Sequence, residues 1–310
     1  MSKFLITGGA GFLGNEICRR LVYSKHEVIC LDNLMTSTKT NIKDLLSYDN
    51  FEFMQWDIED KITIECDIIL NLACPASPKW YYKNPTKTMT TSLIGAINML
   101  ELARLNNAKI LQFSTSEILG DPTEHPQTEN YNGNVSTLSP RSVYDESKRC
   151  VETLFMTYHR QFGVDTRIVR LFNSYGPRMA ISDGRVVSNF IISALKNETL
   201  TIYGDGSQTR SLCYKDDTIT GVLKLLNVDY HLPVNIGSER EHTILEIANI
   251  IRDMINPKLE FIHTDLPVSD PKQRRPDITL AKKLLNWEPQ YSLEFGLEKT
   301  IEYFKSVLFL

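Results

Sequence analysis

The sequence holds no Cys-x-x-Cys pair, although it has six cysteines, Cys18, Cys30, Cys66, Cys74, Cys150 and Cys213. A zinc site or a thioredoxin-like motif is therefore not expected. Cys18, Cys30 and Cys150 fall in apolar-periodic segments, where a free thiol packs as a small hydrophobe, and the usage points to a reducing, cytoplasmic setting. No run of about 18 apolar residues occurs, so no transmembrane helix is expected, and no signal peptide fits ahead of a first strand at Lys3. Excess charge of one sign is also lacking: 34 Lys and Arg against 38 Asp and Glu leave a net charge of −4. That balance has none of the basic footprint of a nucleic-acid binder. His125, His159, His231, His242 and His263 show no metal-ligand spacing, and no metal is expected. Internal repeats and low-complexity stretches are absent. What remains is an ordinary globular mix, 42% hydrophobic and 23% charged over 310 residues, enough for one large domain or two smaller ones.

Strand and helix patterns alternate along the first half. Short apolar runs at 3–7, 27–31, 51–55, 67–72, 109–114 and 166–171 read as strands. The spacing predicts helices over 12–24, 86–106 and 140–162, the first with Ile17, Leu21 and Val22 toward the core. Such alternation implies an α/β fold with a parallel, doubly wound, Rossmann-like sheet. After Leu171 the chain becomes loop-rich. It then carries a helix near 186–197, a strand at 200–203, a turn at Gly204-Asp205-Gly206 and a further sheet strand at 234–236. An amphipathic helix over 243–255 presents Ile244, Ile247, Ile251 and Met254 at helical spacing. Two helices flank Trp287-Glu288-Pro289. The expected division is a dinucleotide-binding domain from 1–172 plus about 211–238, and a smaller α/β substrate-binding domain from about 173–210 and 239–310.

Gly8, Gly11 and Gly14 sit between the first strand and the first helix in Thr7-Gly-Gly-Ala-Gly-Phe-Leu-Gly14. In this pattern one glycine permits a tight turn, one admits a pyrophosphate to the backbone, and one lets helix pack on strand. The helix N-terminus then offers N–H groups and a positive dipole end to phosphate. Asp32 closes the second strand, placed to accept from adenosine ribose hydroxyls; its charge would repel a 2′-phosphate and favours NAD over NADP. Asp57-Ile58, after the third strand, is a candidate adenine contact.

Tyr144 and Lys148 lie four residues apart on one helix face, with Ser139 expected as N-cap and Pro140 as the first helical residue. A tyrosine of ordinary pKa is a poor base at neutral pH. A neighbouring ammonium stabilises phenolate and lowers that pKa, so the pair suits removal of a proton from a sugar hydroxyl as hydride leaves its carbon. Ser114-Thr-Ser-Glu117 ends the preceding strand. Thr115 is expected to hydrogen-bond the reacting hydroxyl and Glu117 to act as acid or base, or to position a water.

Over nearly its whole length the sequence resembles the UDP-glucuronate decarboxylases (UDP-xylose synthases) of the extended short-chain dehydrogenase/reductase type. The segments that carry the resemblance are Asn71-Leu-Ala-Cys-Pro-Ala-Ser-Pro78, Ser114–Glu117 with Gly120-Asp-Pro122, Pro140–Arg149, Phe172–Met179, Asp183–Phe190, Tyr203–Arg210 and Asp270–Asp277. The resemblance implies oxidation at C4 of UDP-glucuronate with Tyr144 as base, aided by Lys148 and Thr115. Carbon dioxide is then lost from the β-keto acid, and C5 is protonated under Glu117 and Arg274. NAD is regenerated in each cycle. It implies Asn173, Arg185, Tyr203, Gln208, Arg210 and Arg274, together with Glu117, as substrate contacts. Phe12, Leu13, Asn33, Leu72, Ala73 and Thr91 complete the cofactor set. Trp80-Tyr81-Tyr82 reads as packing with a substrate-side contact. A homodimer through the helices near 86–106 and 140–162 is the family expectation.

The sequence departs from the family pattern at Ser37 and Thr38, where a Gly-Arg pair is common, at Thr90 (often Lys), at Ser92 (often Asn) and at Leu119 (often Tyr). A sugar-nucleotide 4,6-dehydratase or 4-epimerase is the alternative on the same scaffold. Ser116 and Arg274 argue against it. The retained Thr115, Glu117, Tyr144 and Lys148 argue against a catalytically idle NAD-binding sensor.

Overall fold

The computed structural model describes residues 1–266 and 273–309. β1 (Lys3–Thr7) runs into α1 (Gly14–Tyr23), followed by β2 (Glu27–Asp32), β3 (Phe51–Gln55) and β4 (Ile68–Asn71). The short α2 (Pro78–Lys83) and the long α3 (Pro85–Asn106) lead to β5 (Lys109–Thr115), α4 (Ser142–Phe162) and β6 (Thr166–Leu171). Then come β7 (Ser174–Tyr175), α5 (Val186–Leu195), β8 (Leu200–Tyr203), β9 (Thr209–Ser211), β10 (Cys213–Tyr214), α6 (Lys215–Leu225) and β11 (Pro233–Ile236). The chain ends with β12 (Glu241–Thr243), α7 (Ile244–Ile255), β13 (Phe261–Thr264), α8 (Thr279–Leu285) and α9 (Leu293–Leu308).

Seven strands form one parallel sheet in the order β11-β6-β5-β4-β1-β2-β3. Parallel strands covered on both faces read as continuous apolar runs: Leu5, Ile6, Ile69, Leu70, Ile110 and Leu111 are all fully buried. The chain winds outward from β1 through β2 and β3, then returns to start again at β4. This reversal opens a crevice at the carboxyl ends of β1 and β4, the place where such sheets bind ligands. Thr7 closes the floor of that crevice. Its hydroxyl donates to Asn71 Oδ1 at 2.8 Å and accepts from the Leu72 and Ala73 N–H groups at 3.1 Å.

A second apolar cluster joins α5, α7, α9 and β8 through Phe190, Ile191, Ile202, Ile247, Ile251, Leu297 and Phe304. A two-stranded parallel pair of β8 and β13 and an antiparallel pair of β9 and β12 complete this smaller unit. The expected boundary at 239–310 needs correction at one place. Ile278, Ala281 and Leu285 of the α8 region, with Trp287, pack into the core of the first unit against α6 and β11. The Trp287 indole N–H is satisfied by the Asp217 carbonyl at 3.0 Å.

Three local expectations also change. The helix carrying Tyr144 begins at Ser142, not at Pro140, with Arg141 as its N-cap. Ser139 spends its groups on a turn before the helix: its carbonyl accepts from the Ser142 N–H at 2.9 Å and its hydroxyl from the Arg141 N–H at 3.3 Å. Cys150 is exposed on α4 rather than packed, although the other five thiols lie buried or half-buried and none is paired. Met254 is likewise 39% exposed, at the edge of the stripe that buries Ile247 and Ile251.

Candidate active site

One cavity of about 1080 Å³ runs from the glycine loop across the sheet edge to the smaller unit. At its first end lie Gly8, Gly11, Phe12, Leu13 and Gly14. Gly8 adopts φ +68°, and a Cβ there would come within 3.0 Å of the Ala73 nitrogen. A Cβ on Gly14 would stand 2.3 Å from the Gly8 carbonyl oxygen. The helix start carries no side-chain cap, and Asn15 Nδ2 draws the carbonyls of Gly11 and Phe12 to itself at 2.6 and 2.8 Å. The result is a concave backbone with uncapped helix N–H groups, which fits a pyrophosphate.

Asp32 is buried at the end of β2. Its Oδ2 accepts from the Ala10 N–H at 3.0 Å, and its Oδ1 accepts from the Leu34 N–H and the Ser37 hydroxyl, both at 2.8 Å. Burial pushes its carboxyl above the usual range, and these bonds only partly offset that push. Ser37, one of the departures from the family pattern, thus acts on Asp32, while Thr38 caps the short 3-10 turn that follows. Asn33, Ile58, Leu72, Ala73 and Thr91 all line the same end of the cavity. Asp57 does not stand in its wall. Its carboxylate is engaged by Lys87 at 2.7 Å and Asn33 at 3.0 Å, and those contacts hold it below the ordinary range although burial opposes them. Thr90 bonds Glu59 at 3.1 Å, also outside the wall, and Ser92 meets the Cys74 thiol at 3.1 Å. Leu119 is buried with Ile118, Tyr131 and Phe172.

Tyr144 and Lys148 rise from the first turns of α4 and face the carboxyl end of β5, where Thr115 and Glu117 lie. The Lys148 ammonium donates to the Phe113 carbonyl at 2.9 Å and sits 5.9 Å from the centre of the Tyr144 ring. The Thr115 side chain faces the Tyr144 phenol and favours its ionised form. Burial raises the Tyr144 pKa well above its usual value, with Cys74 and Glu117 adding to the rise, and burial lowers that of Lys148. The cost of burying an isolated charge is the main cause of both shifts. Tyr81 of α2 stacks on Tyr144, centroids 5.5 Å apart and planes 11° from parallel, and so fixes the phenol's plane.

Glu117 is held between two guanidinium groups. Arg274 pairs with its Oε1 and Arg141 with its Oε2. Burial pushes the Glu117 carboxyl up, but Arg274, then Arg141, outweigh it and hold the group below its usual range. Glu117 therefore stands as a carboxylate, not as a ready proton donor. Arg274 is buried, and its Nη2 donates to the Gly120 carbonyl at 2.8 Å. Residues 270–272, the start of the motif that contains Arg274, lie outside the described residues.

The remaining expected substrate residues reach the same cavity. Asn173, Arg185, Tyr203, Gln208 and Arg210 all line it. Arg185 holds Asp183 in a two-pronged pair, 2.6 and 2.9 Å. Gln208 Nε2 donates to the Tyr203 carbonyl at 2.9 Å and keeps that half-exposed ring at the rim. Sequence reasoning missed Arg141; nothing in its spacing marked it, because its partner lies 24 residues away on another element. Among the described residues one group, Asp165, Asp229 and His231, has metal-ligand proximity. The Arg167 guanidinium occupies it, paired with both aspartates and 3.0 Å from His231 Nδ1.

A parallel sheet with a glycine-rich turn at its switch point, facing a Tyr-Lys pair on α4 and a Thr at the end of β5, defines an NAD-dependent sugar-nucleotide enzyme. The chain belongs to the NAD dependent epimerase/dehydratase family, whose profile matches residues 4–237. It is 48% identical over 304 residues to UDP-glucuronic acid decarboxylase 5 of Arabidopsis thaliana, covering 98% of this chain and 89% of that one. It is 47% identical over 306 residues to UDP-glucuronic acid decarboxylase 1 of Danio rerio, covering 99% and 73%. Among solved structures, the UDP-glucose 4-epimerase of Thermotoga maritima, with UDP-glucose, superimposes with a TM-score of 0.91 at 28% identity, covering 99% of each chain. The UDP-glucuronic acid 4-epimerase of Bacillus cereus, in complex with UDP-glucuronic acid and NAD, does so with a TM-score of 0.88 at 28% identity, covering 98% and 99%.

Proposed function

We propose that this chain converts UDP-glucuronate to UDP-xylose and carbon dioxide through a 4-keto sugar. The observation that carries this reading is the buried Arg274 locked onto Glu117, beside Ser116 and in one cavity with Tyr144 and Lys148. The glycine loop and Asp32 would hold NAD, which would supply a reversible hydride acceptor for the sugar with no net redox change. Tyr144, oriented by Thr115 and by stacking on Tyr81, takes the proton of the C4 hydroxyl. Lys148, fixed on the Phe113 carbonyl, supplies the positive charge that the phenolate needs once the site is filled. A ketone at C4 stands β to the C6 carboxylate, so carbon dioxide leaves and an enolate remains. The Arg274 guanidinium stabilises that developing negative charge. Glu117, held ionised, orients the water from which C5 is reprotonated. Arg210 and Asn173 suit the diphosphate, and Tyr203 suits the uracil at the rim.

The finer expectations belong to the same proposal. The protein works in the cytoplasm; six unpaired cysteines support this, and no described helix is long and apolar enough to cross a membrane. It pairs as a homodimer through α3 and α4, a reading supported by the exposed Ile94, Ile97 and Leu105 of α3 and Phe162 of α4.

Mass spectrometry of the nucleotide sugar after incubation with UDP-glucuronate tests the activity. A product lighter by one carbon dioxide with no net NADH is expected. Unchanged UDP-glucuronate, or its 4-epimer at equal mass, refutes it.

A further inference from the structure

We propose that Arg141 is a positioning residue for this decarboxylation, holding Glu117 ionised and in place from the side opposite Arg274. The inference rests on the reaction assigned above. Each Glu117 oxygen has its own guanidinium, Arg274 on Oε1 and Arg141 on Oε2. Arg274 is shared: it also donates to the Gly120 carbonyl at 2.8 Å and stands 3.5 Å from the Ser116 hydroxyl. Arg141 lines the cavity with only 14% of its side chain exposed, so its charge acts with little solvent screening.

The backbone of Arg141 does a second job. Its carbonyl accepts the N–H groups of Tyr144 at 3.0 Å and Asp145 at 3.2 Å, which starts the helix that carries the Tyr-Lys pair. One residue therefore sets the spacing between the group that removes the hydroxyl proton and the group that governs the later protonation.

A competing acid makes the clamp necessary. Asp145 is buried beside Glu117, and its Oδ1 has no hydrogen-bond partner. Burial and the Glu117 charge push the Asp145 carboxyl up to about 7, while Arg141 and Arg274 pull it down. Arg141 is in direct contact with Glu117 and only near Asp145, so of the two carboxyls it favours the ionised form of Glu117 the more strongly. The other groups that face Glu117 are Arg210 from β9, Arg185 ahead of α5, Tyr144 from α4 and Tyr81 from α2. The guanidinium groups in direct contact with its two oxygens are those of Arg274 and Arg141.

The test is a pH titration of the Glu117 carboxyl carbon by NMR in protein labelled with 13C-glutamate, the resonance assigned by its loss in Glu117→Gln. In Arg141→Gln the midpoint is expected to rise by about one to three pH units. The acid limb of kcat/KM is expected to move up with it, because removing the cation lets Glu117 protonate at higher pH. Arg141→Lys, which keeps the charge, is expected to return the limb most of the way to its wild-type position. In a Glu117→Gln background, Arg141→Gln is expected to change kcat no further. An unmoved Glu117 midpoint refutes the proposal, as does a loss of kcat equal at every pH that adds in full to Glu117→Gln. Arg141→Met takes the place of Arg141→Gln if circular dichroism finds the latter unfolded. The NMR readout needs no turnover. A wild-type enzyme that leaves UDP-glucuronate intact refutes the assigned reaction, whereas an unmoved midpoint refutes the clamp.

Discussion

Arg170→Met gives the sharpest stability test, because Arg170 joins the catalytic helix to the sheet. The guanidinium on β6 pairs with Glu152 of α4 through Nε at 3.0 Å and Nη2 at 2.8 Å, and its Nη1 donates to the Glu129 carbonyl at 2.8 Å. Ser114 of β5 donates to the same carboxylate at 2.5 Å. Both side chains are 11% exposed. Removing only the arginine leaves a buried carboxylate and a backbone carbonyl without their partner. Breaking a buried pair from one side costs about 3–5 kcal/mol, far more than a surface pair of about 0–1 kcal/mol. The loss should fall mostly on the uncompensated charge. Glu152→Gln in the Arg170→Met background should therefore recover about half or more, since the amide keeps a hydrogen bond to Ser114 without a charge. Urea unfolding followed by fluorescence and circular dichroism measures both. A loss under about 1 kcal/mol for the single variant, or a double variant no more stable than the single one, would show that the pair is not the joint between α4 and the sheet.

Tyr144→Phe is expected to lower kcat about 10²- to 10⁴-fold, the usual worth of a positioned base, with UDP binding by calorimetry close to wild type; near-normal turnover would remove Tyr144 from its role. Gly14→Ala puts a Cβ 2.3 Å from a backbone oxygen, which costs about 1–3 kcal/mol and should weaken NAD binding, and unchanged thermal stability and NAD affinity would contradict the close approach. Asp145→Asn tests a pH effect whose sign follows from the raised carboxyl. The folded chain holds a proton on Asp145 up to about 7 that the unfolded chain releases near pH 4, so Asp145 makes the fold less stable as pH rises between those values. The variant's melting temperature should therefore gain on wild type across that window and level off above it, and a difference that does not vary with pH would refute the buried acid.

Much of this is legible in the sequence because it depends on local order. Strands buried on both faces need unbroken apolar runs, so β1 begins and ends where its run does and β5 extends one residue past its own. The glycine loop can be read because each glycine answers a steric demand within a few residues of itself. Tyr144 and Lys148 can be paired because an i, i+4 spacing fixes their face. The start of α4 is not legible in the same way, since Ser139 and Pro140 suit a cap as well as the turn they form.

The sequence alone determined the α/β alternation, the phosphate-binding turn, the acid ending β2 and the Tyr-Lys pair, because each is written in neighbouring residues. Only the tertiary structure decided which charges meet. Arg274 lies 157 residues from Glu117 and Arg141 lies 24, and no periodicity relates them. It also decided that α8 and Trp287 return to the first core, that Asp57 is held by Lys87 away from the cavity wall, and that Tyr81 stacks on Tyr144. Pairing partners and protonation states depend on burial and on distances between elements, and those exist only once the sheet, its helices and the smaller unit close around one cavity.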